Sequence, residues 1–527
     1  MSTTRWLGQE VSRIVVGEDT TVVAVLNRKN RLAVCARTNG RLFQQKKLHA
    51  EGGTMNVCVN VMRELRDIAS VQAQHNGYIN KDRVITVINR RMNLLNQILH
   101  PVNLAKAQQR VIGNKGAAGV DGMKVSELNQ WMKDHRSELI ESIENGTYQP
   151  AMVLGVEIDK QSGGKRLLGI PTVIDRTIQQ AIQQVLSPMY EREFSAFSYG
   201  FRPNKSAHQG ISRGLSYINS GYQDIIDLDL KSFFDVVNHD LLMSILYRKI
   251  KDERLLRLIR KYLKTGLLIG GLVQQREEGT PQGSPLSPLL SNILLDELDK
   301  ELTKRDLRFI RYADDCSIFL KSKRSARRVL KGVTKFIEGK LKLKVNTDKT
   351  SICRPISFHL LGYNFISTYK RGEVGKYRLR VSPIRFELMK KKVKAITRKG
   401  RPLSFDQRLK ELNDYLKGWL VYFRYANMQN KLRELDVWIR CRLRYCIWKH
   451  WKKPNKRMRS YIRMGLDRGQ AYAWSRSRMG GWAQACSPIM KTTVTIVRLK
   501  RRGYIEFYDY FQRFNLKGNY KLEFEFC

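Results

Sequence analysis

The segment Tyr222-Gln-Asp-Ile-Ile-Asp-Leu-Asp-Leu-Lys-Ser-Phe-Phe-Asp235 restricts the fold more than any other stretch of the chain. Ile226, Leu228 and Leu230 alternate with Asp227 and Asp229, and a period of two is that of a strand with one buried face. Such a strand puts both carboxylates on one side, where they repel unless a cation lies between them. Residues 308–320 repeat the theme. RFIRY and CSIFL are short β-prone runs joined by Ala313-Asp314-Asp315, which predicts a tight hairpin with acids at its tip. An Asp-Asp pair in a turn is, taken alone, ordinary solvated turn chemistry. With a second carboxylate strand beside it, it becomes a donor set for two hard cations about 4 Å apart, the device for in-line phosphoryl or nucleotidyl transfer.

These acids stand out because the chain is otherwise basic. Ninety-six Lys and Arg against 48 Asp and Glu leave +48 on 527 residues. Charge of that size demands a polyanionic partner; nucleic acid is the first candidate and an anionic membrane surface the second. Hydrophobic residues at 42% exclude a disordered basic tail. The length suits roughly three or four domains. No apolar run approaches the ~20 residues of a membrane span, and MSTTRWLGQE has no signal-peptide core. The eight cysteines are scattered without a CxxC pair, so neither a disulfide framework nor a zinc ribbon is indicated.

Residues 124–145 have helical spacing, 153–171 read as two strands around Gly163-Gly164, and helical periodicity resumes at 172 and stops near Pro188. From 403 to 451 the pattern is almost continuously helical. Residues 366–527 carry 40 Lys or Arg against 12 Asp or Glu. The densest run, KHWKKPNKRMR, interleaves Trp448 and Trp451 with the bases, which favours a nucleic-acid-binding surface over a merely solvated helix face. Residues 1–54 fit poorly with the rest, although 11–37 can form strands. The break at Ala50-Glu51-Gly52-Gly53-Thr54 is compatible with a purine-rich ribosome-binding site, so Met55 is expected to be the start and 1–54 a read-through extension of unknown role.

Between the acidic segments lies Glu278-Gly-Thr-Pro-Gln-Gly-Ser-Pro-Leu-Ser287, a Pro/Gly loop leading into an amphipathic helix with Ser284 or Ser287 near its start. In this order and spacing, LDLKSFFD, GTPQGSPLSPLLSNILLDELD and RYADD resemble the palm motifs of bacterial group II intron-encoded reverse transcriptases. Gly116-Ala-Ala-Gly-Val-Asp-Gly122 is similar to that family's N-terminal extension motif. Lys165–Pro171 and Ser198–Asn204 are similar to its fingers motifs, Leu343–Thr350 and Leu361-Gly-Tyr363 to further palm motifs, and Leu412–Phe423 to its maturase, or thumb, domain. The likeness covers roughly 100–527.

The resemblance implies an α/β plus α fold, a right-hand polymerase with an antiparallel palm sheet. Its expected division is 1–54 upstream extension, 55–365 N-terminal extension with fingers and palm, 366–450 thumb or maturase domain, and 451–527 basic C-terminal region. It implies a catalytic triad of Asp229, Asp314 and Asp315, with the Leu230 carbonyl as an extra ligand, holding two Mg²⁺ ions for which Mn²⁺ can substitute. Asp227 falls outside the matched position and is read as structural or electrostatic; Asp235 stays unassigned. Phe234 takes the place of a steric gate against a 2′-hydroxyl. Lys160 and Arg166 resemble triphosphate ligands, with Lys165 able to replace either. Gln282 is placed by the incoming nucleotide and Lys349 by the departing pyrophosphate, while Arg176, Gln180 and Arg202 are template contacts.

The implied partners are group II intron RNA, an RNA template with DNA primer, target DNA and deoxynucleoside triphosphates, with no membrane. The implied setting is a bacterial cytoplasm, at the nucleoid when DNA is the substrate. Trp419, Tyr422, Phe423, Trp438 and Trp448 suit RNA stacking or the helix core. No Cys pair follows His450, so the zinc-supported HNH endonuclease of many relatives is not expected, and the primer is expected from another source such as a replication fork. A non-enzymatic splicing maturase, or a host-adopted reverse transcriptase in defence or repair, stays open at this level.

Overall fold

The computed structural model describes residues 93–159, 164–368 and 375–517, together with the backbone of four strands between residues 10 and 49. These strands, β1 (Glu10–Val15), β2 (Thr20–Leu26), β3 (Arg31–Thr38) and β4 (Arg41–His49), pair antiparallel in chain order. The expected start at Met55 lies outside the described residues. The chain divides into two compact units, 1–103 and 104–527. The boundaries expected at 365 and 450 fall inside the second unit, to which everything below refers.

A helix spans Leu128–Glu144, close to the expected range. Strands β5 (Val153–Asp159) and β6 (Lys165–Ile170) form the predicted hairpin, in which Asp159 faces Lys165 and Gly164 adopts φ 80°. The helix Val173–Glu191 starts at an N-cap, Thr172, whose hydroxyl accepts from Asp175 N. It runs through Pro188 instead of stopping there. A proline in the last turn forfeits a single i→i−4 bond, and the buried Tyr190 packs the turn that follows. Helix Ala207–Asn219 opens with a capping box between Ser206 and Gln209.

Strand β7 (Asp224–Leu228) carries the first acidic segment. Strands β8 (Leu267–Ile269) and β9 (Leu272–Gln274) extend the earlier hairpin into a sheet of order β6–β5–β8–β9, in which β5 and β8 run parallel. The second acidic segment is the hairpin of β10 (Arg308–Tyr312) and β11 (Asp315–Leu320). With β12 (Ser351–Cys353) it makes an antiparallel sheet of order β10–β11–β7–β12. Flanked on both edges, β7 buries Ile225, Ile226 and Leu228. Register puts Asp227 opposite Ser317 and Asp315 opposite Tyr312, so Asp227, Asp229, Asp315 and Tyr312 share one face. Arg311 and Cys316 lie on the other face, towards helix Ser287–Lys304. Helix Lys323–Gly339 packs on β7, β11 and β12.

Strands β13 (His359–Leu360), β14 (Tyr363–Ser367) and β15 (Tyr377–Val381) form a small antiparallel sheet that leads into helix Pro383–Ile396. The continuous helical pattern of 403–451 resolves into Phe405–Tyr422 and Gln429–His450. They are parted where Phe423, Ala426 and Met428 turn into the core. That core is continuous from Tyr199 through the helices to Phe511. Trp448 and Trp451, expected among the nucleic-acid-facing residues, are 2% and 7% exposed. They pack around Tyr461, Trp448 from the last turn of its helix and Trp451 from the residue just beyond it, while Lys449, Lys452 and Lys453 stay exposed. No helix among the described residues is long and apolar enough to cross a membrane.

Asp436, 1% exposed, joins the Gln429–His450 helix to the C-terminal segment. It accepts from Tyr504 Oη at 2.6 Å and from the amides of Phe507 and Tyr508 at 3.0 and 2.8 Å. Asp436→Ala leaves two buried donors and a part-buried one without an acceptor, so it should destabilise the protein by roughly 3 kcal/mol or more. Denaturant unfolding followed by tryptophan fluorescence reads this; an unchanged midpoint would show that the C-terminal segment does not depend on this cap.

Candidate active site

Asp229 lies one residue beyond β7 and is held by the segment that precedes β12. Asn346 N donates to the Asp229 carbonyl at 2.9 Å, Asp229 N donates to Thr350 Oγ1 at 3.2 Å, and Lys231 N donates to Lys344 O at 2.9 Å. These bonds engage Asp229 and Lys231, so the Leu230 carbonyl is turned to the opposite edge of the strand. The Asp229 carboxylate accepts from Asn346 Nδ2 at 2.8 Å and lies 3.6 Å from Lys349 Nζ. Asn346 and Thr350 therefore orient Asp229. Both belong to the Leu343–Thr350 motif, in which no local pattern marks either as a partner of Asp229.

The Ala313-Asp314 turn joins β10 to β11, with Ala313 at φ 58°. Holding a non-glycine residue there costs about 1–2 kcal/mol. Gly200, in the Ser198–Asn204 segment, lies flat against the turn; a Cβ on it would collide with the backbone of Ala313. Gly200 is thus needed for close approach rather than for chain flexibility.

Asp227, Asp229, Asp314 and Asp315 lie within electrostatic reach of one another. Burial, then the charge of Asp229, pushes Asp227 up to about 6. Asp315 reaches solvent at its edge, yet desolvation by the surrounding sheet, followed by the charges of Asp314, Asp229 and Asp227, pushes it up to about 6, with Lys349 opposing. Asp314 is raised chiefly by burial, and Arg166 and Arg311 offset part of that. An all-oxygen group in which Asp227, Asp314 and Asp315 resist ionising fits hard divalent cations. Among the described residues, however, no three Asp, Glu, His or Cys side chains already converge on one point as ligands. Asn346 and Lys349 both approach the same carboxylate oxygen of Asp229, Oδ2.

The Pro/Gly loop locks this sheet to the β5–β6 hairpin. Gly169 N donates to Gln282 O at 2.7 Å, and Gly283, at φ 116°, lies against Gly169 O with no room for a Cβ. Arg166 Nε donates to Gln282 Oε1 at 2.5 Å, which brings together two of the expected nucleotide ligands. At the loop's start Thr280 N donates to Phe234 O at 2.6 Å. Phe234 is 9% exposed, with its ring edge-on to Phe233. Lys165 pairs with Glu157 across the hairpin, and Lys160 lies outside the described residues. Ser284 Oγ accepts from Ser287 N at 3.2 Å, so both serines mark the helix start.

The expected template residues separate. Gln180 is half-buried and donates to Gln183. Arg176 donates to the Ala117 carbonyl, under Gly116, and so ties the Gly116–Gly122 segment to helix Val173–Glu191. Arg202 is 8% exposed. Its guanidinium forks onto Glu191 and donates to the carbonyls of Ser195 and Ser198. Turned inward in this way, it shapes the Ser198–Asn204 segment and presents no guanidinium face to a template.

Beside Asp315 opens a cavity of about 520 Å³, lined by Leu361, Gly362, Arg385, Trp419 and Tyr422 among others. Its walls are tied together by Tyr422 Oη donating to Leu361 O at 2.8 Å and Tyr363 Oη donating to Tyr422 O at 2.5 Å.

Residues 158–365 match the family model described as reverse transcriptase (RNA-dependent DNA polymerase), and residues 387–464 match that of the group II intron maturase-specific domain. Protein YkfC of Escherichia coli (strain K12) is 34% identical over 334 residues, covering 55% of this chain and 86% of its own length. The group II intron-encoded protein LtrA of Lactococcus lactis subsp. cremoris is 35% identical over 237 residues, 45% of this chain and 38% of its own. Among solved structures, a partial Cas6-RT-Cas1–Cas2 complex is 27% identical over 47% of this chain and 43% of that chain; its TM-score of 0.32 is too low to bear on the fold.

With Asp227 and Asp315 held near 6, both are ionised at pH 7.5 and take up protons as pH falls through 6. A divalent cation must then displace a proton. Mn²⁺ affinity, read by electron paramagnetic resonance, should be flat above pH 7 and weaken below pH 6 by roughly tenfold per pH unit for each proton displaced. Affinity that does not vary between pH 5 and 7.5 would rule out a binding site that includes Asp315.

Proposed function

The chain belongs to the group II intron-encoded reverse transcriptases, RNA-directed DNA polymerases with a maturase-specific domain, and from that premise we propose how its residues divide the work. The β10–β11–β7–β12 sheet is the palm, the β5–β6 hairpin with its neighbouring helices the fingers, and the helices from Pro383 onward the thumb. DNA synthesis takes place at Asp229, Asp314 and Asp315. The observation that carries this reading is the placement of Asp229 and Asp315 on one face of the sheet, next to the Asp314 turn.

Those three carboxylates, with the Leu230 carbonyl, would hold two Mg²⁺ ions, or Mn²⁺ in their place. When bound, such a pair lowers the pKa of a primer 3′-hydroxyl and neutralises the triphosphate. The side chains around it position the reactants. Arg166, with Lys160 or Lys165, binds the triphosphate of the incoming deoxynucleotide, and Gln282 leaves Arg166 to meet it. Lys349 moves from Asp229 to the pyrophosphate as it departs. The rim of Phe234 closes the space below the sugar against a 2′-hydroxyl. Gln180 and Arg176 line the template side, and Arg202 holds that wall in shape from within. The surplus of 28 positive charges in residues 366–527 binds intron RNA to promote splicing and, towards the C-terminus, target DNA during intron mobility. The same charge would keep the protein at the nucleoid while it acts on DNA.

Primer extension on an RNA template with Mg²⁺ tests the assignment. Wild type should extend, and Asp314→Ala should lose at least 10³-fold in rate, the order expected when transition-state charge stabilisation is removed. Extension by both proteins overturns the carboxylate assignment. Failure of both, with intron splicing intact, favours the splicing-only reading. Phe234→Ala should raise ribonucleotide incorporation by at least about tenfold, a difference near 1.4 kcal/mol in selectivity. Unchanged sugar discrimination would refute the gate.

A further inference from the structure

Behind the acidic turn, on the face of the sheet away from Asp229, sits a buried polar cluster to which no role has yet been given. Arg311 and Asp299 are 1% and 0% exposed at their side chains. Arg311 Nε and Nη2 donate to the two Asp299 carboxylate oxygens at 2.8 and 2.6 Å. Its Nη1 donates at 2.9 Å both to Asn292 Oδ1 and to the carbonyl of Ala313, inside the turn itself. Asn292, 1% exposed, donates in turn to Gly200 O at 2.9 Å. Gly200 is the residue whose bare Cα lies against Ala313. The backbone completes the ring, with Arg311 N donating to Phe197 O and Tyr199 N to Arg311 O.

We infer that Arg311, with Asp299 and Asn292, is the positioning element that sets the Ala313-Asp314 turn, and with it the carboxylates of Asp314 and Asp315, from behind the sheet. What those carboxylates do rests on the polymerase reading above. A buried ion pair is a poor device for stability, since two well-packed apolar side chains commonly do as well. An apolar pair could not, however, hold the Ala313 carbonyl or link it to Gly200. The fork of Arg311 does both at once, with four of its N–H groups directed at three acceptor residues. The cluster also gives one physical reason for three separated sequence segments: Gly200 abuts the turn, Asn292 and Asp299 lie on the helix behind it, and Arg311 leads into it.

Arg311→Lys keeps a positive charge opposite Asp299 but cannot serve Asn292 and the Ala313 carbonyl together. The full-length variant should fold and lose on the order of 10- to 100-fold in kcat for primer extension, with the KM for deoxynucleotide within about threefold of wild type. Its Mn²⁺ affinity without substrate, read by electron paramagnetic resonance, should weaken by about threefold or more, on the same geometric ground. A merely structural role predicts a lower thermal midpoint with kcat and Mn²⁺ affinity both at wild-type values, and that result overturns the inference. If Arg311→Lys does not fold, Asn292→Ala, which keeps the ion pair and cuts the link to Gly200, is read against the same outcomes. A wild-type protein that binds Mn²⁺ but fails to extend a primer would sink the polymerase reading, and the Mn²⁺ comparison would still judge the network.

Discussion

Like-charge crowding is the constraint on which the structure turns. Asp227, Asp229, Asp314 and Asp315 are brought together at the end of one sheet in a chain that otherwise carries two bases for each acid. Burial raises the cost of ionising Asp227, Asp314 and Asp315, and the charge of Asp229 adds to it. Such a cluster persists only if the backbone beneath it is held firmly and a compensating charge is within reach. The surroundings supply both. The 343–350 segment clamps Asp229 through Asn346 and Thr350 and offers Lys349 as counter-charge. The opposite face offers a buried guanidinium at the base of the turn.

Close approach of backbones assembles the rest. Gly200 lies against Ala313, Gly283 against Gly169, and Gly279 against the carbonyls of Phe234 and Asp235. At each contact the absence of a Cβ lets a loop from one part of the chain lie flat on a strand or turn from another. The 278–287 loop, the acidic turn and the segment carrying Asp229 are thus referenced to one another by main-chain geometry. Arg166 and Gln282 meet across one of these contacts. The chemistry expected of them depends on that docking more than on either side chain alone.

Much of this is legible in the amino-acid sequence. The alternation at 225–230, the two runs around Ala313-Asp314-Asp315 and the two runs that flank Gly163-Gly164 each encode a local shape, and the strands they form pair as expected. Residue type misleads where it stands in for surroundings. Arg202 reads as a basic residue in a fingers motif, yet it is turned inward to Glu191. Trp448 and Trp451 read as stacking groups in a basic run, yet both are core. Pro188 reads as a helix stop, yet it sits where the helix has little left to lose.

The sequence by itself determined which segments are strands, which acids share a face and which loop stays compact. It also determined the family and the surplus of positive charge. These follow from periodicity and composition, which act over a few residues and survive without knowledge of the fold. Only the tertiary structure decided what meets Asp229, since Asn346 is 117 positions away, and that Arg311 reaches Asn292, Asp299 and the turn carbonyl together. Partners that distant are selected by packing and by the need to satisfy buried polar groups, and no local pattern in the chain records either.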